Sequence, residues 1–389
     1  MKIYFGAKLA LTIFLSSFFC LSVNAQVIPK KGAPPQRIYG LTIENLNELD
    51  VDKFREKFKD VTVPITLRVV FQANTSPSDY EAKLSELHNP PQGKKKFYIL
   101  ALPFDSYALR HYQLNSNPNE NFDCKNFAPT DPVYDHRAKC FVEYFKGEKD
   151  YIDAWEVGNE VNGEWADEAY QDGVKLPPET KGKPEITVEK INRLISFIPA
   201  HKPIMLTVSY MPNCLEWTAN AMDQWINNFP QTMIDKLDYV LVSYYENNCD
   251  FRVLSEEEIN RDVFGTLRRV FKNQFLGMGE IGYSDGDDED FETCKGNENC
   301  YCSKDMENCN RANCIPRNDK MACCRKSKIA QMQRYYGMKP SDSLYIGGGF
   351  WWNAGTDYKI GDFRKALKRQ FTCLATNQQC EKPLPVDCR

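Results

Sequence analysis

Two glutamates in this chain stand where a catalytic pair would. Glu160 closes the run Ala154-Trp155-Glu156-Val157-Gly158-Asn159, and Glu280 closes Phe275-Leu276-Gly277-Met278-Gly279. Each ends an apolar stretch and precedes a polar one. Two carboxyls facing one another across a cleft suit cleavage of an acetal link. One protonates the departing oxygen, and the other attacks or stabilises the carbon left behind. A single glutamate at the end of a run is most often a solvated side chain, so its company decides. Arg68 ends the charged-free part of Ile65-Thr66-Leu67, Asn159 precedes Glu160, Ser243-Tyr244-Tyr245 ends another run, and Phe350-Trp351-Trp352 ends the last. A cation, hydroxyls and aromatic faces are the groups needed to hold a carboxylate and a flat, polar substrate.

These residues need a scaffold that gathers strand ends. Eight short apolar runs recur, starting at Arg37, Ile65, Phe97, Ala154, Ile204, Tyr239, Phe275 and Leu344. Continuous apolar runs suit parallel strands buried on both faces. Between them lie amphipathic stretches such as Val188 to Ile198 and Glu256 to Val270. Strand and helix alternating eight times predicts a (β/α)8 TIM barrel, whose active sites lie at the C-terminal ends of the strands. A doubly wound open sheet alternates in the same way, but no glycine-rich phosphate loop follows the first run, and no cofactor is expected.

The run Trp155-Glu156-Val157-Gly158-Asn159-Glu160-Val161-Asn162-Gly163, with a second glutamate on strand seven, resembles the clan A glycoside hydrolases. The resemblance implies that Glu160 is the acid/base and Glu280 the nucleophile of a retaining glycosidase. It implies that Asn159 binds a sugar hydroxyl and that Arg68 steadies the nucleophile. A sixth-strand tyrosine should hydrogen-bond Glu280; Tyr245 is preferred and Tyr244 is the alternative. An eighth-strand tryptophan should floor the sugar subsite; Trp352 matches better than Trp351. Glu164 and Trp165 in the next loop are further candidates, and Glu156 competes as a site carboxylate from inside the strand. Val-Gly-Asn-Glu-Val-Asn-Gly and Ser-Tyr-Tyr are similar to the endo-β-1,4-galactanases. Two departures leave the family unassigned. Val161 stands where a proline often follows, and the acidic residue of the galactanase first strand is absent from Tyr39-Gly40-Leu41. The roles imply a raised pKa for Glu160, from Glu280's charge and apolar surroundings, and an ionised Glu280. They also imply carboxyls roughly 5–5.5 Å apart.

Lys2, Lys8, the apolar run Leu9 to Val23 and Val23-Asn24-Ala25 form a signal-peptide pattern over residues 1–25, so a secreted protein (extracellular or periplasmic) of residues 26–389 is expected. No other apolar stretch is long enough for a membrane span. A net charge of −4 gives no basic face for nucleic acid. The partner expected is a carbohydrate substrate, met by a monomer. Of 15 cysteines, Cys20 falls in the signal and seven crowd into a polar insert, residues 284–327, after strand seven. An exported chain reads these as disulfides stapling the insert, and an odd seven demands at least one bridge to the rest. No metal is expected. The cysteines lack zinc spacing, the acidic run 285–290 departs from calcium-loop spacing, and His88, His111, His136 and His201 show no ligand pattern. Residues 113–135 read as a long polar loop, and Asn74-Thr75-Ser76 is a glycosylation sequon. The reading from another class is a catalytically inactive TIM-barrel carbohydrate-binding protein. A third gives a protein-interaction or inhibitor role to the insert, with the barrel as scaffold.

Overall fold

The structure is a computed structural model. It describes residues 28–105, 112–117, 120–162, 170–171, 174–175, 184–210, 221–246, 253–282, 291–293, 300–303, 315–316, 328–352, 354–376 and 380. Eight parallel strands close into a barrel: β1 (Ile38–Ile43), β2 (Ile65–Val70), β3 (Phe97–Leu102), β4 (Ala154–Glu156), β5 (Ile204–Ser209), β6 (Tyr239–Tyr244), β7 (Phe275–Ile281) and β8 (Tyr345–Trp351). Each strand pairs with its neighbours in the chain, and β8 pairs with β1. All eight apolar runs are therefore strands of one (β/α)8 barrel.

The period-two alternation of a strand sorts its side chains between two cores. One face of each strand packs outward with the helices Val51–Phe58, Ser78–His88, Tyr134–Tyr144, Pro184–Phe197 and Gly361–Ala375 in one continuous apolar layer. The other face fills the barrel with Ile38, Leu100, Ala154, Met205, Tyr239, Leu241, Phe275, Ile346 and Phe350. Ile28 joins this inner cluster, and nearby the Tyr239 hydroxyl donates to the Pro29 carbonyl. The Lys31 amide donates to Asp238, at the start of β6, over 3.0 Å. The segment entering β1 thus closes the end of the barrel opposite the site.

Boundaries depart from the sequence reading in three instructive places. β4 stops at Glu156, so Asn159 and Glu160 lie on the bend beyond it. β7 runs on to Ile281, so Glu280 is within the strand and does not follow it. The stretch 256–270 is helical throughout, but a π turn at Ile259–Phe264 interrupts it after a Ser255–Glu258 capping box. Residues 112–117 and 120–133 are largely irregular, as expected. Cys124–Cys140 ties this loop to the helix Tyr134–Tyr144, and Cys373–Cys380 closes the last helix. Within 284–327 the described residues are three short strands in one antiparallel sheet, Phe291–Thr293, Cys300–Ser303 and Ile315–Pro316. The bridges expected there, the acidic run 285–290, the signal segment 1–25, Glu164 and Trp165 lie outside the described residues or side chains. No helix among the described residues is long and apolar enough to cross a membrane.

Candidate active site

The inward register of β2 delivers Arg68 to the C-terminal end of the barrel, fully buried. An isolated guanidinium there would be prohibitively costly, so its neighbours must neutralise it. Its Nε and Nη2 donate to the two oxygens of Glu156 at 2.6 and 2.9 Å, a bidentate pair. Its Nη1 donates to Glu280 Oε2 at 2.7 Å. Burial opposes the Arg68 charge, but Glu156 and Glu280 more than offset this, and its pKa rises. Thr207 Oγ1 donates to Glu156 Oε1 at 2.6 Å. Glu156 is thus a buried positioning group whose oxygens are occupied by Arg68 and Thr207.

Glu280 reaches the barrel interior through an irregularity. Leu276, Met278 and Ile281 all face the outer core, so simple alternation would send residue 280 outward as well. The β6–β7 register slips by one residue, however: Val242 pairs with Met278, and Ser243 with Glu280. Gly279 is the extra residue of a β-bulge, a feature that re-aims side chains next to active sites. It must be glycine. A Cβ at 279 would stand 2.6 Å from Leu241 Cβ and 2.8 Å from Thr207 Oγ1. Gly279→Ala is expected to cut kcat/KM by about 10²-fold, the typical cost of misplacing a reacting group by an ångström. Overpacking should also lower stability by about 1–3 kcal/mol. Steady-state kinetics beside thermal melting checks both.

Three donors converge on Glu280: Arg68 on Oε2, Asn159 Nδ2 also on Oε2 at 3.0 Å, and the Tyr245 hydroxyl on Oε1. Tyr245 follows β6 in inward register, and burial above all, with Glu280's charge, raises its pKa well above the usual phenol value. It therefore stays a donor. Tyr244 points the other way. It is fully buried in the outer core, 5.9 Å ring to ring from Tyr335. The same parity separates the tryptophans. Trp351 is fully buried against Phe363, at 4.9 Å, with Nε1 donating to Asp357 at 2.8 Å. Trp352 is half-buried, with the Arg68 guanidinium 5.5 Å from its ring. Tyr245 and Trp352 flank Gly282, where a Cβ would lie 2.7 Å from Tyr245 Cε1 and 3.0 Å from Trp352 Cβ. Of the sequence-predicted site residues, Tyr244 and Trp351 are therefore core side chains, because adjacent residues on a strand face opposite sides. Tyr245→Phe should lower kcat/KM roughly 10- to 100-fold, the worth of one hydrogen bond to a charged group. Tyr244→Phe should leave kcat/KM near the wild-type value, and the pair measured together checks the parity.

Glu160 sits on a left-handed bend, φ +47°, a conformation costly for a non-glycine residue and concentrated at functional sites. The bend is braced by Asn162, whose amide exchanges hydrogen bonds with the Ser209 backbone at 2.8 and 2.6 Å. The Ser243 hydroxyl donates to Glu160 Oε1. Ser243 is also the register partner of Glu280 on β7, and it hydrogen-bonds Glu160 from β6, which lies between β4 and β7 in the ring. Among the described residues, no cation bonds to Glu160. Burial first, then Glu280's charge, push its pKa up to about 8, with Ser243 pulling the other way. One carboxylate is held by a buried arginine, and the other has every reason to keep its proton.

Among the described residues, the buried polar atoms without a partner include Glu44 Oε1 after β1, Asn159 Oδ1 after β4 and Ser209 Oγ ending β5. Such orphans are uncommon in native proteins and mark places where something else binds. Sequence reasoning missed Glu44, Ser209 and Thr207, and set Glu156 aside. The signal for Glu44 was present, since it closes its run as Glu160 and Glu280 close theirs.

No family model matches the chain, and no curated protein matches it. Solved structures of similar fold include an endo-1,4-β-mannanase from Rhizomucor miehei, 10% identical over 89% of this chain and 99% of that one, TM-score 0.48. A fungal β-1,4-galactanase is 10% identical over 87% and 99%, TM-score 0.47. A β-glucosidase from Thermotoga maritima is 8% identical over 90% and 100%, TM-score 0.44. The fold assignment rests on the closed ring of eight parallel strands and not on these likenesses.

Proposed function

We propose that the protein is a secreted, retaining glycoside hydrolase of clan A, acting on β-linked poly- or oligosaccharides. The observation that carries this reading is the pair of carboxyls after β4 and on β7, one ion-paired to buried Arg68 and one raised in pKa with no cation bonded to it among the described residues. Glu280 attacks the anomeric carbon as Glu160 gives its proton to the departing glycosidic oxygen. A glycosyl ester on Glu280 results. Glu160, now ionised, takes a proton from water, the hydroxide displaces Glu280, and both carboxyls return to their starting states. This route needs carboxyls roughly 5–5.5 Å apart, and the influence of Glu280's charge on the Glu160 pKa supports a close pair. The inverting alternative needs roughly 6.5–9.5 Å between carboxyls, to admit a water. Asn159, Tyr245 and Trp352 are proposed to bind the sugar and steady the nucleophile.

The cysteine-rich insert leaves β7, the strand that carries Glu280, and we assign it one wall of the cleft. Removing residues 286–322 is then expected to reduce activity on long substrates more than on short ones, by comparison of kcat/KM across oligosaccharide lengths; equal kinetics at every length would dismiss it. Reducing-end release from β-glucans, β-mannans, β-galactans and xylans tests the hydrolase itself. Activity on one polymer supports it and gives its substrate. Silence across the panel, with the folded protein binding one polymer, would make it a carbohydrate-binding protein.

A further inference from the structure

Beside the two glutamates discussed above, a third carboxyl belongs to the mouth of this barrel. Glu44 is the residue after β1, and the inward alternation of Ile38 and Thr42 carries on to it. Its Oε2 lies 3.1 Å from where a Cβ on Gly355 would stand, so it packs against the chain that leaves β8 just beyond Trp352. Its Oε1 is buried and bonds to nothing among the described residues. A buried carboxyl oxygen left unsatisfied is costly, and the cost persists only where a ligand or water meets it.

Nor does Glu44 have an ionic partner among the described residues. Arg68 spends three donors on Glu156 and Glu280. Lys328, the other buried cation near, is bonded to Asp357 at 3.0 Å. Around Glu44, two cations thus face three committed carboxylates, Glu156, Glu280 and Asp357, among the described residues. We infer that Glu44 is a further substrate-binding residue, hydrogen-bonding a hydroxyl of an uncharged sugar through Oε1, and that the site rejects glycuronates. The inference rests on the hydrolase reading and adds the substrate class to it. Burial first, and then Asp357 and Glu280, raise the Glu44 pKa to about 8. A protonated Glu44 both donates to and accepts from a sugar hydroxyl. A uronate carboxylate would instead add charge to a negative floor whose arginine is wholly buried and already engaged.

The test compares wild type, Glu44→Gln and Glu44→Ala on aryl glycosides of neutral sugars and on the matching uronides, with thermal melting beside each. Glu44→Ala should lose about tenfold or more in kcat/KM, the worth of a hydrogen bond in a buried site, while the isosteric amide of Glu44→Gln restores most of it. Wild type should cleave the uronides at least about 100-fold less well than the neutral glycosides. Unchanged kinetics in Glu44→Ala, equal loss in both variants with a lowered melting temperature, or uronides cleaved as readily as neutral glycosides would each overturn the inference. A wild type that cleaves nothing would sink the hydrolase reading alone. Calorimetric binding of neutral oligosaccharides then decides: about tenfold weaker binding by Glu44→Ala supports the inference, and equal binding overturns it.

Discussion

Glu280→Gln should lose roughly 10⁴-fold or more in kcat on the polymer that the wild type cleaves, the scale seen when a covalent nucleophile is removed. The amide fills the same space, so the fold should persist. Its NH2 cannot accept from Arg68 or Tyr245, and the lost hydrogen bonds should cost about 1–3 kcal/mol of stability. Arg68 keeps its bidentate pair with Glu156, which limits the penalty. A sharper readout separates nucleophile from structural support. In Glu280→Ala, azide should enter the vacated space and attack the anomeric carbon directly, giving a glycosyl azide of inverted configuration. Activity of Glu280→Gln within an order of magnitude of wild type, with melting unchanged, would remove Glu280 from the chemistry.

Glu160→Ala should cost about 10²–10⁴-fold on the natural linkage, the usual contribution of a positioned general acid. On an aryl glycoside whose phenolate leaves without a proton, the loss of the first step should largely vanish. The pH profile carries the same assignment. Glu160 works protonated, so kcat/KM should hold through neutrality and fall as the pH rises past its elevated pKa. Removing Glu160 should abolish that alkaline limb. Ser243 donates to the ionised form and so pulls the pKa down; Ser243→Ala should move the limb to higher pH. An alkaline limb that survives in Glu160→Ala would belong to another group and sink the assignment.

The barrel was legible because each strand is buried on both faces and reads as an unbroken apolar run. Glu160, Glu280 and Asn159 were legible as polar residues at the ends of such runs and Arg68 as the one charge inside its own, and the structure brings all four together. The finer choices were not, for physical reasons. Tyr244 and Tyr245, like Trp351 and Trp352, are chemically equivalent in sequence, and only the face each presents decides between them. Strand parity would have settled both pairs had the inward positions been fixed from Tyr239 and Phe350. Glu280 defies parity. The Gly279 bulge that turns it inward is a property of β6–β7 pairing, not of any local pattern. Glu44 escaped because the run that starts at Arg37 was not weighed for the carboxylate that closes it. Glu156 was read as a rival carboxylate. Its use as the partner that lets Arg68 stay buried depends on a contact 88 residues away in sequence.

The central claim is a covalent bond between Glu280 and the sugar. Incubation of the protein with activated 2-deoxy-2-fluoro glycosides of glucose, mannose, galactose and xylose, followed by intact and peptide mass spectrometry, measures it directly. The account predicts one added glycosyl mass, located on Glu280 and absent from Glu280→Gln. Polymer cleavage without any label, and with inversion of the anomeric centre by NMR, would contradict it.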